Sequence, residues 1–238
     1  MFFAKSTEQF GGLDLYGEQS DFQYLKQEME YLLESGYVQG LAMGIGRKLE
    51  NFCQEIGNLP TKGQVQLLPN GMEQNIDGFN LYPKRNLWFS IRKSWPEMIF
   101  LMMMMEESIL LCEKDFIRRR DFLHSFSVVR VFQKALIKAL RDILSDAKTV
   151  RLCNKIFDGN LHLTGIAPQF LERVSHEYLA LAPHKRKERL TLFIYRVLNP
   201  KEEYEEFWNN LLEYALQQGI PMESVVIYRD ENFEELLW

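Results

Sequence analysis

The sequence predicts an α+β protein, with a small, mainly antiparallel N-terminal sheet carrying two helices and a C-terminal helical bundle after it. Three observations lead there. Strand-like alternation is concentrated in residues 1–95. Nearly everything after Lys114 keeps helical periodicity. Between the two lies Lys84–Lys114, where an alternating run feeds directly into an apolar run.

That junction organises the chain. Leu87, Phe89 and Ile91 alternate with Trp88, Ser90 and Arg92, which puts the two sets on opposite faces of a strand. Ser94-Trp95-Pro96-Glu97 then reads as a helix start, because Pro is favoured in the first turn and Glu suits the positive end of the helix dipole. From Met98 to Cys112 only Glu106, Glu107 and Ser108 are polar. Met102–Met105 are consecutive, so at about 100° per residue they cover almost the whole circumference. A helix apolar all round is buried all round. The run stops at Glu106, short of the ~20 residues a bilayer span needs. Met-rich surfaces can also serve as pliable docking grooves, but an exposed run of this kind invites aggregation, and core is the preferred reading.

The remaining elements follow in order. Phe2–Ser6 and Leu13–Tyr16 form a hairpin around Gly11-Gly12. Ser20 or Asp21 caps a helix whose inward positions are Phe22, Leu25, Met29 and Leu32, and Gly36 ends it. Gln39–Gly57 is a second helix, with Leu41, Ile45, Leu49, Phe52 and Ile56 inward. Gly40 and Gly44 lie one turn apart on it, as for a close backbone approach. Pro60–Gly63 breaks the chain, Val65–Leu68 is a strand, Asn70-Gly71 marks a tight turn, and Asn75–Pro83 is a polar loop. Ser125 or Ser127 caps an amphipathic helix with Val128, Val129, Phe132, Leu136, Leu140 and Ile143 inward and Arg130, Lys134, Lys138 and Arg141 outward. Helices follow at Ser145–Phe157, Pro168–Leu181, Pro183–Leu198 and Pro200–Gln218, the last stopped by Gly219-Ile220-Pro221. Val225–Tyr228 is a short β-prone run. The expected organisation is a sheet-and-helix layer at 1–95 and a bundle at 96–238, one unit sharing the helix at 96–112.

Composition narrows the function classes. The chain has 238 residues, 46% hydrophobic and 26% charged, with a formal net charge of -5. That is ordinary for a globular domain and disfavours nucleic acid binding through a globally basic surface. Cys53, Cys112 and Cys153 are dispersed and odd in number, as for buried free thiols in a reducing cytosol. The start of the chain lacks a basic region followed by a long apolar stretch, so no signal peptide is expected and the location is read as cytoplasmic, without membrane association.

Gly12-Leu13 with Asp21-Phe22, Asn70-Gly71-Met72, Pro83–Ser90 and Pro96-Glu97 together resemble an uncharacterised bacterial domain-of-unknown-function family, mostly from Gram-positive bacteria and their mobile elements. The resemblance covers most of the chain and rests on turn and packing signals. It implies no activity, ligand, cofactor or catalytic residue. Its mobile-element context implies a setting in phage defence, counter-defence or toxin control.

Motifs that carry chemistry are weak here. Ser90-Ile91-Arg92-Lys93 matches S-x-x-K, but that chemistry needs both side chains one turn apart at a helix start, and a strand sends them to opposite faces. Gly44-Ile45-Gly46 is a fragment of a dinucleotide fingerprint, placed inside a helix and lacking the third Gly. His176-Glu177 begins like a zinc-protease helix, but Ala180 stands where the second His belongs, and the scattered His and Cys show no ligand spacing. Glu106 interrupts a buried helix and needs a partner. Arg47, Arg92 and Arg130 are the candidates, as a structural ion pair.

Two basic clusters, Arg118-Arg119-Arg120 and Lys185-Arg186-Lys187, are candidate phosphate contacts, with solvated surface as the competing reading. The tail from Asp230 sets Phe233, Leu236, Leu237 and Trp238 among carboxylates, as for partner-binding anchors. The function expected from the sequence is a non-catalytic cytosolic interaction module acting through a protein partner or self-association, with no cofactor and no metal. The alternative is a hydrolase or nuclease-like enzyme whose site is assembled from dispersed residues.

Overall fold

The computed structural model describes residues 2–34, 43–62, 64–69, 85–119, 126–158 and 166–227. In chain order these form β1 (Phe3–Ser6), β2 (Gly12–Gly17), α1 (Gln19–Glu34), α2 (Met43–Gly57), α3 (Leu59–Lys62), β3 (Gln64–Pro69), β4 (Arg85–Ser94), α4 (Trp95–Arg119), α5 (Ser127–Arg141), α6 (Asp146–Ile156), α7 (Ala167–Leu179), α8 (Pro183–Leu198) and α9 (Lys201–Gln218). A single 3-10 turn, Met222–Ser224, follows. The α+β class is as the sequence predicts. The expected stop at Gly36, the close approach at Gly40, the Asn70-Gly71 turn and the 75–83 loop lie outside the described residues.

All strand pairs are antiparallel, in the order β1-β2-β4-β3. Leu15 opposes Ile91, and Gly17 opposes Phe89. Leu13, Leu15, Phe89 and Ile91 share the buried face, where Phe22 of α1 and Phe52 of α2 are buried in the same hydrophobic cluster. Gly17 has a steric reason to be glycine. A Cβ there would sit 2.9 Å from the Phe2 ring and 3.1 Å from Phe22. Leu87 departs from expectation. Its register is that of Phe89 and Ile91, but it lies opposite the equally open Leu67 and is 48% exposed. Ser90, on the face opposite Phe89 and Ile91, is buried as well.

β4 runs without a break into α4, and Ser94 makes the joint. Its Oγ accepts from the N–H of Glu97, three residues on, at 3.3 Å. That is the side-chain half of an N-terminal cap. Met102–Met105 are all buried, because α4 is surrounded: α1, α2, α6, α7 and α8 all touch it. The helix extends to Arg119, seven residues beyond the expected end at Cys112. One hydrophobic cluster takes in both the sheet and the bundle, from Phe2 to Val225.

Several local expectations change. α1 begins at Gln19, so Asp21 is not the cap. It reaches back to accept from the N–H of Glu18 at 3.0 Å, the reciprocal half of a capping box. No side chain of its own segment caps α5, and Ser127 is its first helical residue. Its leading N–H groups instead meet Glu28 of α1. Residues 222–227 include no strand, although Val225 is buried. α9 does end at Gly219, whose φ of 66° places it in the left-handed region that glycine tolerates. Cys53 and Cys112 are buried, while Cys153 is only half-buried.

Candidate interaction surface

A polar region lies where β4, α2, α4 and α7 meet. Lys93 projects to the helix-covered face and binds Glu55 at 2.7 Å and Glu97 at 3.4 Å. Burial acts to lower its pKa, but Glu97 and Glu55 outweigh it and the net shift is upward. The Ser94 and Ser175 hydroxyls lie 3.1 Å apart in the interior. Glu172, on the same helix as Ser175, is raised by burial, against the pull of Lys48 and His176. Ser90 is on the opposite face of the strand from Lys93, so the S-x-x-K pair does not assemble. Lys93 is paired with two carboxylates and Ser94 caps a helix, so neither is set up as the lysine base or the serine nucleophile of that motif. Among the described residues no three His, Cys, Asp or Glu side chains are placed to hold a metal ion.

Glu106 finds one of its three expected partners. The guanidinium of Arg130 on α5 binds it through two nitrogens, with Nη2 to Oε1 at 3.2 Å. Gln133 adds a donor to the carboxylate at 3.4 Å. Charge on a buried carboxylate is tolerable only with such partners, so this is a structural ion pair on the Met-rich helix. Neighbouring Glu107 points elsewhere and is raised by burial, opposed by Lys114.

The basic cluster on α8 splits. Lys185 and Lys187 are exposed. Arg186 is 3% exposed, and a buried guanidinium is not available to a phosphate. It donates to the backbone oxygens of Leu179 at 2.7 Å, Leu181 at 2.9 Å and Gln9 at 3.4 Å. Tyr178 joins the same corner by donating to the oxygen of Phe10 at 2.6 Å, and Lys187 lies over the Phe10 ring. The hairpin between β1 and β2 is thereby fastened to the α7–α8 corner. Arg118 and Arg119 close α4, but their side chains, like all of Arg120, lie outside the described residues. So do Phe233, Leu236, Leu237 and Trp238.

A cavity of about 210 Å³ lies between α1, the α2–α3 corner and β4, floored by Phe22, Ile56, Leu59 and Phe89 with Lys26 at the rim. It is below the ~300–1,000 Å³ usual for cofactor and drug-sized sites, and Lys26 is engaged by Glu30 at 2.6 Å.

The helix α9 presents something different. Tyr204, Phe207, Leu211 and Ala215 are buried, with Phe170 of α7 set edge-on against Tyr204 at 5.3 Å. At about 100° per residue, the apolar arc of α9 extends well past this strip. Trp208 is partly buried, and beyond it Leu212 is 37% and Leu216 73% exposed, with Ile220 40% exposed after the turn. Trp208, Leu212 and Leu216 recur every four residues along one flank of α9, and Ile220 follows just past its end. Glu205, one turn before Trp208, and Glu213, next to Leu212, border that flank and are exposed, as is Glu202 nearer the start of the helix. The sequence expectation places the C-terminal address on Phe233, Leu236, Leu237 and Trp238, not on this flank. The signal available was the width of the arc, about twice what one-sided burial of a helix uses.

No helix among the described residues is long and apolar enough to cross a membrane. No curated protein matches the chain, and no solved structure matches it. A family match does span it: the chain belongs to the family defined by a domain of unknown function, DUF6904, which matches residues 2–238.

Proposed function

We propose that this protein is a non-catalytic interaction module that acts through protein–protein contacts at its C-terminal arm. The observation that carries the reading is the open flank of α9, where Leu212, Leu216 and Ile220 stay exposed at a regular spacing. Single exposed apolar residues are ordinary on any surface. A regular row rimmed by charge is the pattern of a recognition face. The segment bearing Phe233, Leu236, Leu237 and Trp238 follows in sequence and extends the same acidic, apolar character. Lys93, Ser94, Glu106 and Arg186 argue the same way, since they are engaged in ion pairing, capping and hairpin attachment. The family resemblance supports a bacterial setting and, within it, phage defence, counter-defence or toxin control, and the dispersed cysteines support a cytosolic one. The genes beside this one in its genome test that part.

Two variants test the interaction reading: Leu212→Ser with Leu216→Ser, and deletion of Asp230–Trp238. Both should leave the melting temperature within about 2 °C of the parent, since neither leucine is core. Self-association by sedimentation equilibrium, or recovery of a specific binding protein by affinity capture, should fall. A large loss of melting temperature with association unchanged would assign the arm to the protein's own core and remove the reading.

A further inference from the structure

We infer that the arm's partner is a basic amphipathic helix, one that lays an apolar stripe along Trp208, Leu212, Leu216 and Ile220 and sets Lys or Arg against the bordering carboxylates. The inference rests on the interaction reading and adds the chemistry of the partner.

Charge is distributed unevenly along the chain. Residues 201–238 hold ten Asp and Glu against two basic residues, Lys201 and Arg229. The whole chain holds 33 acidic and 28 basic residues, so its entire acidic excess belongs to this arm. The open flank of α9 shares in it. Glu213 is exposed next to Leu212 and one turn before Leu216, Glu205 is exposed one turn before Trp208, and Glu202 is exposed nearer the start of the helix. Among the described side chains of α9 only Lys201, at its first position, is basic.

Geometry selects the form of the occupant. Trp208, Leu212 and Leu216, four residues apart and rising about 6 Å per step, form a surface that the ridge of a second helix fits at an axial separation of about 8–10 Å, with Ile220 beyond the helix end. Anchors on such a helix recur at three and four residues, as in other helix-in-groove contacts. Charge then selects among helices. A second copy would bring the same acid-rimmed α9 against this one, and the acidic segment 230–238 would bring carboxylates to carboxylates. Like charges at helix–helix distance oppose each other well inside the ~10 Å screening length at 0.1 M salt. A helix with basic borders meets the leucines and the carboxylates together.

The test uses the full chain and three 18-residue peptides of identical leucine pattern, with Lys, Gln or Glu at the polar positions, titrated by fluorescence anisotropy at 50 and 300 mM NaCl. The Leu/Lys peptide should bind at least tenfold more tightly than the Leu/Gln peptide at low salt and weaken at least fivefold at high salt. Leu212→Ser with Leu216→Ser should cost at least tenfold at both salt concentrations. Glu205→Gln with Glu213→Gln should cost about threefold at 50 mM and nothing measurable at 300 mM. Equal binding of the Lys and Gln peptides, or Leu/Lys binding indifferent to the leucine variants, overturns the inference. So does a tenfold or greater gain in peptide affinity on deleting Asp230–Trp238, because the occupant of the flank would then be the chain's own tail. If the leucine variants abolish self-association while the Leu/Lys peptide neither binds nor competes, the interaction reading survives and the basic-helix partner does not. If they change neither, both fall.

Discussion

The carboxylate of Glu28, midway along α1, accepts from the backbone N–H of Val129 at 2.8 Å and, through its other oxygen, from that of Val128 at 3.1 Å. The first turn of α5 is therefore capped by a residue about a hundred positions away in the chain. The first four N–H groups of a helix have no partner within it, and a carboxylate also complements the positive end of the helix dipole. Glu28→Ala should cost about 2 kcal/mol, the upper end for a lost cap, while Glu28→Gln, which keeps an acceptor oxygen, should cost about half as much. Urea denaturation of the three proteins checks the order. Equal stabilities would show that α5 needs no external cap.

Met103 is buried at the centre of the Met-rich segment. Met103→Asp puts an unpaired carboxylate in an apolar core and should unfold the protein or drive it into aggregates. Met103→Leu, which nearly conserves volume, should cost under ~1.5 kcal/mol. Circular dichroism and size-exclusion chromatography distinguish the two outcomes. A soluble aspartate variant with an unchanged melting temperature would remove the argument for a buried α4.

Arg186→Ala strands the backbone oxygens of Leu179 and Leu181 without the donors that now reach them. Unsatisfied buried carbonyls cost about 1–3 kcal/mol each, so a loss of about 3 kcal/mol is expected. Arg186→Lys should not restore it, because a single ammonium cannot reach several divergent acceptors as the planar guanidinium does. Thermal melts provide the comparison, and full rescue by lysine would contradict the hydrogen-bonding role.

Glu177 carries a pH signature. Burial pushes its pKa up, but hydrogen bonds from Arg173 and Arg196 prevail and the net shift is downward. Its folded-state pKa is thus below the unfolded value of about 4.3. The stabilisation is present in full above that pH and is lost as pH falls through the folded pKa. Glu177→Gln should therefore flatten the acid limb of stability against pH below about 4.3 while leaving the slope near neutrality unchanged. An acid limb identical to the parent's would rule out a contribution from this group.

Cys53 should resist thiol reagents. Burial pushes its pKa up to about 11, and its Sγ lies 3.7 Å from the backbone oxygen of Lys26. At neutral pH the reactive thiolate is then scarce. Half-buried Cys153 is also raised by burial, opposed by Arg141, but is more accessible. Timed labelling with a maleimide, read by peptide mass mapping, should modify Cys153 well before Cys53 in the native protein. Equal rates would contradict the buried environment of Cys53.

Local order determined much of the fold before any tertiary contact is considered. Four consecutive methionines cannot all avoid the core on a helix, so α4 is legible as a buried element from 102–105 alone. Alternation along Leu87–Arg92 specifies a strand, Pro183 and Gly219 mark helix ends, and the inward positions of α1 follow from their spacing. Each of these signals lies within one or two turns of chain, where backbone geometry alone relates the residues. Tertiary structure decided the rest, because the outcome depends on which elements become neighbours. Glu106 could have paired with Arg47, Arg92 or Arg130, and the docking of α5 against α4 selected Arg130. Arg186 belongs to a basic run that reads as solvated surface, and the packing of the β1–β2 hairpin on the α7–α8 corner turned it inward. The N-terminus of α5 has serines nearby, yet its capping acceptor came from α1. On α9 the apolar arc is plain in the sequence, but which part stays open depends on where Phe170 and its neighbours stop covering it. Burial of a charge or exposure of a leucine is a property of two surfaces, and a single stretch of sequence contains only one of them.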